Sequence, residues 1–168
     1  MTVEIREATA DDWPAIWPFF HEIVVARETY TYDPELTEEQ ARALWMSPSS
    51  SPLARTTVAV DADGTVLGSA NMYPNRPGPG KHVASASFMV NGAARGRGVG
   101  RALCADMIAW ATRSGFRSIQ FNAVVETNEP AVHLWQSLGF RIAGTVPEAF
   151  EHPNLGYVGL HVMYRPLT

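Results

Sequence analysis

The sequence predicts a single α/β (α+β) domain, and three observations predict it. Segments with alternating apolar residues, the period of a half-buried strand, are interspersed with segments whose apolar residues recur every three or four positions, the period of a helix packed on one face. Apolar residues make up 46% of the chain and charged residues 18%, a balance that supports one core over 168 residues without a disulfide or metal staple. No internal repeat, low-complexity tract or long linker interrupts the chain, so residues 1–168 read as one domain.

The segment VEIRE alternates and reads as a short strand. Thr9 and Asp12 form a weak capping box ahead of Ile16, Phe19, Phe20, Ile23 and Val24, which recur at helical spacing. RETYTYDPEL breaks that period and reads as a loop. Thr37 with Gln40 opens a second, short helix through Trp45, and SPSSSPL ends it. TTVAV and TVLGSANMY are strand-like, with the hairpin signal DADG between them. PNRPGPGKH is a loop by its prolines and glycines. VASASFMV alternates cleanly, with Ala84, Ala86, Phe88 and Val90 on one face and Ser85, Ser87 and Met89 on the other. A helix to about Ser114 then carries Leu103, Met107 and Trp110. SIQFNAVV is a strand, Pro130 suits the first turn of a helix over AVHLWQSL, and Gly139 stops it. FRIAG and YVGLHVMY read as closing strands, which leaves long loops at 74–82 and 144–157.

Composition excludes several function classes. The net charge of −4 provides no global field toward nucleic acid or an anionic membrane. The N-terminal segment MTVEIREATADDW has neither a basic nor an apolar leader region, and no run approaches the length of a membrane span, so neither a signal peptide nor a span is expected. A single cysteine, Cys104, precludes an internal disulfide and suits the reducing cytoplasm. It falls on the inward face of its helix, where a buried structural thiol is the expectation and a nucleophile is not. His82, His133, His152 and His161 are scattered over different elements without a His-x-x-x-His pair, so no metal site is expected.

The most informative stretch is NGAARGRGVGRALC, residues 91–104, in which four glycines and three arginines run into a helix. The first N–H groups of a helix have no internal partner, and the dipole adds partial positive charge there. Glycines allow an anion to approach those amides, and neighbouring arginines become favourable around it. The stretch reads as a phosphate cradle at a strand-to-helix junction. It is not Gly-x-Gly-x-x-Gly, because Arg101 stands at the third glycine position. It is not a Walker loop, because Lys81 is the only lysine in the chain.

Arg95, Gly98 and Gly100 match Arg/Gln-x-x-Gly-x-Gly/Ala, and NEPAVHLWQSLGF supplies an asparagine, a short helix and Gly-Phe. With these motifs and this order of elements the sequence resembles the Gcn5-related N-acetyltransferase (GNAT) family over nearly its whole length. The resemblance implies a central mixed, largely antiparallel sheet of about seven strands flanked by about four helices, with the fourth and fifth strands splayed. It implies acetyl-coenzyme A (acetyl-CoA) as cofactor, its pyrophosphate on the loop formed by Gly96, Arg97, Gly98, Val99, Gly100 and Arg101. The pantetheine arm then runs along Phe88, Met89 and Val90, with Asn128 touching it. An amine attacks the thioester directly, and a backbone N–H near Met89 or Val90 would steady the oxyanion. The family often forms dimers, so a homodimer is a further expectation.

One departure concerns the proton donor. Many family members carry a tyrosine where this chain has Trp135, whose indole is a very poor acid; a packing role and a thiolate protonated by water fit better. For the acceptor, RETYTYDPEL resembles the corresponding loop of phosphinothricin acetyltransferases. HVASASFMVNGAARGRGVG, FNAVVETN and the tail AFEHPNLGYVGLHVMYRPL resemble fungal acetyltransferases of the proline analogue azetidine-2-carboxylate. In that group an asparagine stands at Ser85 and two others match Asn122 and Asn128. The expected acceptor is therefore a small amino acid or analogue, with a peptide amine or a non-catalytic CoA-binding role as alternatives. Asn122 either orders a catalytic water or satisfies neighbouring backbone. Glu28 is either a base or amine anchor, or a solvated carboxylate. Tyr30, Tyr32 and Tyr73 either line the acceptor pocket, with Ser85 and His152 beside it, or cover the edge of the core.

Overall fold

Local signals set the helices. A computed structural model describes residues 2–168. Asp12 accepts the Thr9 backbone N–H at 2.7 Å, closing a 3₁₀ turn over Ala10–Asp12 that leads into helix α1, Trp13–Ala26. Ile16, Phe19, Phe20 and Val24 are its buried stripe. The chain leaves α1 through Arg27 at φ 57°, a left-handed conformation that costs a non-glycine residue about 1–2 kcal/mol. This turn leads into residues 28–36, whose Tyr30 and Tyr32 pack against the core formed with α1. Thr37 accepts the Gln40 N–H at 3.2 Å and Gln40 accepts the Thr37 N–H at 2.9 Å, a reciprocal cap that opens helix α2, Glu38–Met46.

The strands are β1 (Glu4–Glu7), β2 (Arg55–Val60), β3 (Val66–Pro74), β4 (Val83–Val90), β5 (Ser118–Val125), β6 (Arg141–His152) and β7 (Gly156–Pro166). Helices α3 (Val99–Arg113) and α4 (Glu129–Ser137) complete the set. The sheet order is β1-β2-β3-β4-β5-β7-β6, antiparallel throughout except for β4 and β5. This is the expected mixed, largely antiparallel architecture. The DADG turn forms as read: Asp61 Oδ1 accepts the N–H of Asp63 and of Thr65, each at 3.0 Å, and Gly64 sits at φ 81°.

Apolar residues fill both sides of the sheet. On one side α3 and α4 pack Leu103, Met107, Trp110 and Trp135 over Ala70, Met72 and Ala84. On the other, α1 and α2 pack Phe20 and Trp45 over Val58 and Met89. Ala84 and Met89 therefore lie in different cores, as the alternation in β4 requires. A buried polar chain fixes α2 to the sheet: the Trp45 indole N–H donates to Ser69 at 2.9 Å, and Ser69 donates to the Thr57 carbonyl at 2.7 Å.

One segment differs from the sequence reading. Residues 144–157 are not a long loop: β6 continues to His152 and turns tightly into β7 at Gly156. The cause is that β6 is an edge strand. Residues 141–149 are all exposed, and the register shifts between Ile142 and Gly144 and again between Val146 and Phe150, so no alternation marks it. Lys81 ends the 3₁₀ turn Gly78–Gly80 in the β3–β4 connection and is exposed. Among the described residues no helix is long and apolar enough to cross a membrane.

The Asp12 carboxylate generates a stability prediction. It accepts two bonds from the Arg6 guanidinium, at 2.9 and 2.8 Å. The Arg6 bonds, helped by the Thr9 N–H and opposed by burial, hold its pKa down at about 2. A carboxylate depressed below its unfolded value of about 3.9 stabilises the fold above that value, and the contribution is lost as pH falls toward 2. Asp12→Asn should cost about 1–2 kcal/mol at pH 7, after allowing for the half-exposed guanidinium, and almost nothing at pH 2. Urea denaturation at the two pH values checks this; an equal loss at both would remove the ion pair as the cause.

Candidate functional site

The site begins where β4 and β5 part. Only Val83↔Ser118 and Ala84↔Ile119 pair, and beyond them the two strands have no register. The orientation of the exposed β4 backbone follows from its other side. The Asn75 N–H bonds the Val83 carbonyl and the Asn91 N–H bonds the Leu67 carbonyl, both at 2.8 Å, and the β3–β4 register runs without a shift. Odd-numbered residues of β4 thus turn their N–H and C=O toward β3, and Ala86, Phe88 and Val90 turn theirs into the opening. Met89 cannot offer its N–H to a ligand in the cleft. Its side chain is 1% exposed and belongs to the core under α1 and α2.

A cavity of about 290 Å³ occupies the opening. Its walls are Tyr30 and Tyr32 from the α1–α2 loop, Tyr73 from β3, Ser85 to Phe88 from β4, Phe121 to Val125 from β5, and Asn128, Ala131 and Trp135 from α4 and its cap. Trp135 fills the wedge between the strands, with ring centroids 4.9 Å from Phe88 and 5.3 Å from Phe121. The indole is 7% exposed, as a packing group should be. Tyr30 bonds Phe88 twice: its hydroxyl accepts the Phe88 N–H at 2.9 Å and donates to the Phe88 carbonyl at 2.5 Å. Burial raises the Tyr30 phenol well above its ordinary pKa and pushes Tyr32 up to about 12, so both remain protonated.

Polar side chains lie along one rim. Asn122 donates to the Asn75 side-chain oxygen at 2.6 Å and accepts from Gln120 at 2.9 Å. Asn75 was not singled out in the sequence because it lies in a proline- and glycine-rich connection with no chemical pattern. Asn128 lines the cavity at the N-cap of α4, yet its side chain makes no capping bond. Ser85 is 2% exposed and also lines it. Glu28 and His152 do not. Glu28 is exposed on the α1–α2 loop, and His152 accepts the Asn154 N–H at 3.2 Å in the β6–β7 hairpin. A second cavity of about 210 Å³ shares Tyr30, Thr31 and Tyr32 with the first. It adds Arg27 and Glu151, which form a 3.5 Å ion pair.

The glycine-rich stretch lies at the other end of the opening. Gly98 caps α3, and the helix ladder starts with the Ala102 N–H on the Gly98 carbonyl at 3.0 Å. The N–H groups of Val99, Gly100 and Arg101 thus have no partner in the helix. Gly96 and Gly98 hold φ of 73° and 78°, and a Cβ on either would meet nothing within 4 Å. These two glycines shape an open cradle. Gly100 serves packing instead, since a Cβ there would come 3.3 Å from Leu134 of α4. Arg101 reaches across to Ser137 at 2.7 Å and ties the start of α3 to the end of α4. The arrangement can hold a multiply charged anion at α3 and an extended chain along β4, with a small polar molecule facing Asn122. Among the described residues no group of three or more histidine, cysteine or acidic side chains could hold a metal.

Comparisons with known proteins agree with this geometry. Residues 5–140 match the model of the acetyltransferase (GNAT) family. The chain is similar to a GCN5-related N-acetyltransferase from Kribbella flavida, 77% identical, with a TM-score of 0.94 over 98% of this chain and 97% of that one. It is 26% identical to a phosphinothricin acetyltransferase of the same superfamily from Sinorhizobium meliloti, solved in complex with acetyl-CoA. There the TM-score is 0.84 over 99% of this chain and 89% of that one. N-acetyltransferase aca1 of Schizosaccharomyces pombe is 30% identical over 147 residues, 80% of this chain and 70% of its own.

Cys104 is 0% exposed, and burial pushes its thiol up to about 12 despite the attraction of Arg165 and Arg101. The native protein should leave DTNB unreacted over minutes and release one thiol per chain once unfolded in guanidinium. Rapid reaction of the folded protein would show that the thiol is accessible and contradict its burial.

Proposed function

The chain belongs to the acetyltransferase (GNAT) family and is an acetyl-CoA-dependent N-acetyltransferase, and we propose that its acceptor is the amine of a small molecule, an amino acid or a close analogue. The observation that carries this reading is the opening between β4 and β5, with an anion cradle at one end and, at the other, a largely apolar pocket of about 290 Å³ with Asn122, Asn128 and Ser85 among its lining. A pocket of that size suits a molecule of a few heavy atoms better than a peptide. The likeness to a phosphinothricin acetyltransferase supports the same class.

The residues present fit the cofactor. Gly96 and Gly98 leave open space over the start of α3. The α3 amides with Arg95, Arg97 and Arg101 would receive its phosphates, and Phe88, Val90 and Asn128 would hold its arm. Acetyl-CoA supplies the acetyl group as a thioester. The protein holds the acceptor amine toward β4 and removes its proton, since only the neutral amine attacks. Glu28 and His152 lie off the cavity, so we assign that step to water ordered by Asn122 under the Asn75 contact. Tyr30 and Tyr32 remain protonated and are not bases. A backbone N–H on the cleft side of β4, that of Phe88 or Val90, steadies the charge developing on the carbonyl oxygen. Water protonates the departing thiolate, because Trp135 supplies no acid. With its one cysteine reduced, the protein would work in the cytoplasm.

The test is thiol release from acetyl-CoA across a panel of amino acids, polyamines and peptides. Release with one or more amino acids supports the reading, release confined to peptides replaces the acceptor, and binding of acetyl-CoA without release identifies a non-catalytic module. The cradle is tested by Gly98→Asp against Gly98→Asn, since both carry the left-handed strain and only one carries charge. Calorimetry should show much weaker acetyl-CoA binding for the aspartate than for the asparagine; equal affinities would move the phosphates elsewhere. Asn122→Ala should lower turnover by roughly a hundredfold, the low end of a proton-transfer contribution, with acetyl-CoA affinity unchanged. Turnover at the wild-type rate would remove Asn122 from the chemistry.

A further inference from the structure

Phe88 sits at the middle of the open edge of β4, its N–H and C=O turned away from β3 with no strand opposite. A sheltered backbone pair of this kind needs partners. One hydroxyl supplies both: the Tyr30 oxygen accepts the N–H at 2.9 Å, and its proton goes to the carbonyl at 2.5 Å. Tyr30 is held there by a column of rings. It stacks on Tyr32 with centroids 5.5 Å apart and planes at 13°, and Tyr32 stacks on Phe20, 5.8 Å away at 22°. The column roots the hydroxyl in the core under α1.

Resting on the reading that a thioester lies along this edge, we propose that the Tyr30 hydroxyl is a resident occupant of the acyl-oxygen position, so that Tyr30 sets how strongly the site prefers acetyl-CoA to free CoA. A thioester carbonyl is an acceptor and can replace the tyrosine oxygen on the Phe88 N–H. Free CoA carries no carbonyl at that point and cannot. Every acylated ligand must therefore displace an existing hydrogen bond, and the free thiol need not. The adjoining cavity of about 210 Å³, which Tyr30 also lines, gives the ring room to withdraw. Burial keeps the phenol protonated, so the exchange gives the Phe88 N–H a new acceptor, takes the tyrosine donor away from the Phe88 carbonyl, and transfers no proton.

Calorimetric titration of the wild type and Tyr30→Phe with acetyl-CoA and with CoA tests the inference. Phenylalanine keeps the ring stack and removes the competitor. The variant should bind acetyl-CoA roughly two- to tenfold more tightly, the worth of one net hydrogen bond, with CoA affinity unchanged. Equal changes for both ligands, no change, or weaker acetyl-CoA binding would overturn it. The wild type offers a check without a variant: the Phe88 amide resonance should shift more on adding acetyl-CoA than on adding CoA, and equal shifts would count against the exchange. A wild type that binds no acetyl-CoA overturns the proposed function and this inference together. Binding without discrimination by Tyr30→Phe overturns this inference alone.

Discussion

A strand that leaves its neighbour after two residue pairs must find other partners for its backbone, and this constraint organises the molecule. β4 is fully paired with β3 on one side, so the alternation of its polar groups is fixed. From Ala86 onward the even-numbered groups then face an opening rather than a strand. The wedge is filled with ring area where hydrogen bonds are missing: Trp135, Phe88 and Phe121 pack together, and Phe121 stacks on Phe140 at 4.4 Å. The α1–α2 loop contributes Tyr30, and α3 begins where the strand ends. Closing the two strands would satisfy the backbone and leave no site.

Packing also dictates how the opening is held at its lower end. Gly100 lets α3 approach Leu134 closely, and Arg101 bonds Ser137 in the last turn of α4. The two helices are thereby locked on the same side of the sheet, one presenting its amides to the cradle and the other presenting Asn128 and Trp135 to the cavity. A glycine and an arginine that look like parts of a phosphate motif also set the spacing of the two helices.

The fold was legible where burial imposed a period. The β4 alternation sorted its side chains onto the correct faces, the two capping boxes opened their turns, and the glycine-rich run marked the start of α3. β6 was not legible past Gly144, because an edge strand with nine consecutive exposed residues carries no contrast between its faces. The cavity was legible in part. Asn122, Asn128, Ser85 and Tyr30 do line it. Their contacts could not be read, since Tyr30 meets Phe88 and Asn122 meets Asn75 across separations of 58 and 47 residues. Glu28 and Tyr30 are neighbours in sequence, and only the turn out of α1 decides which of them points inward.

Lys81, exposed at the end of the Gly78–Gly80 turn, is the only lysine, so twelve of the chain's thirteen basic side chains are arginines. A guanidinium stays protonated at any physiological pH and is a poor nucleophile, whereas a lysine amine is a ready acceptor of activated acyl groups. A protein that handles an acetyl thioester therefore presents almost no side-chain amine of its own. Among its side chains, stray acylation has essentially one address, and the mass of one acetyl group on the peptide that carries Lys81 would report its occupancy directly.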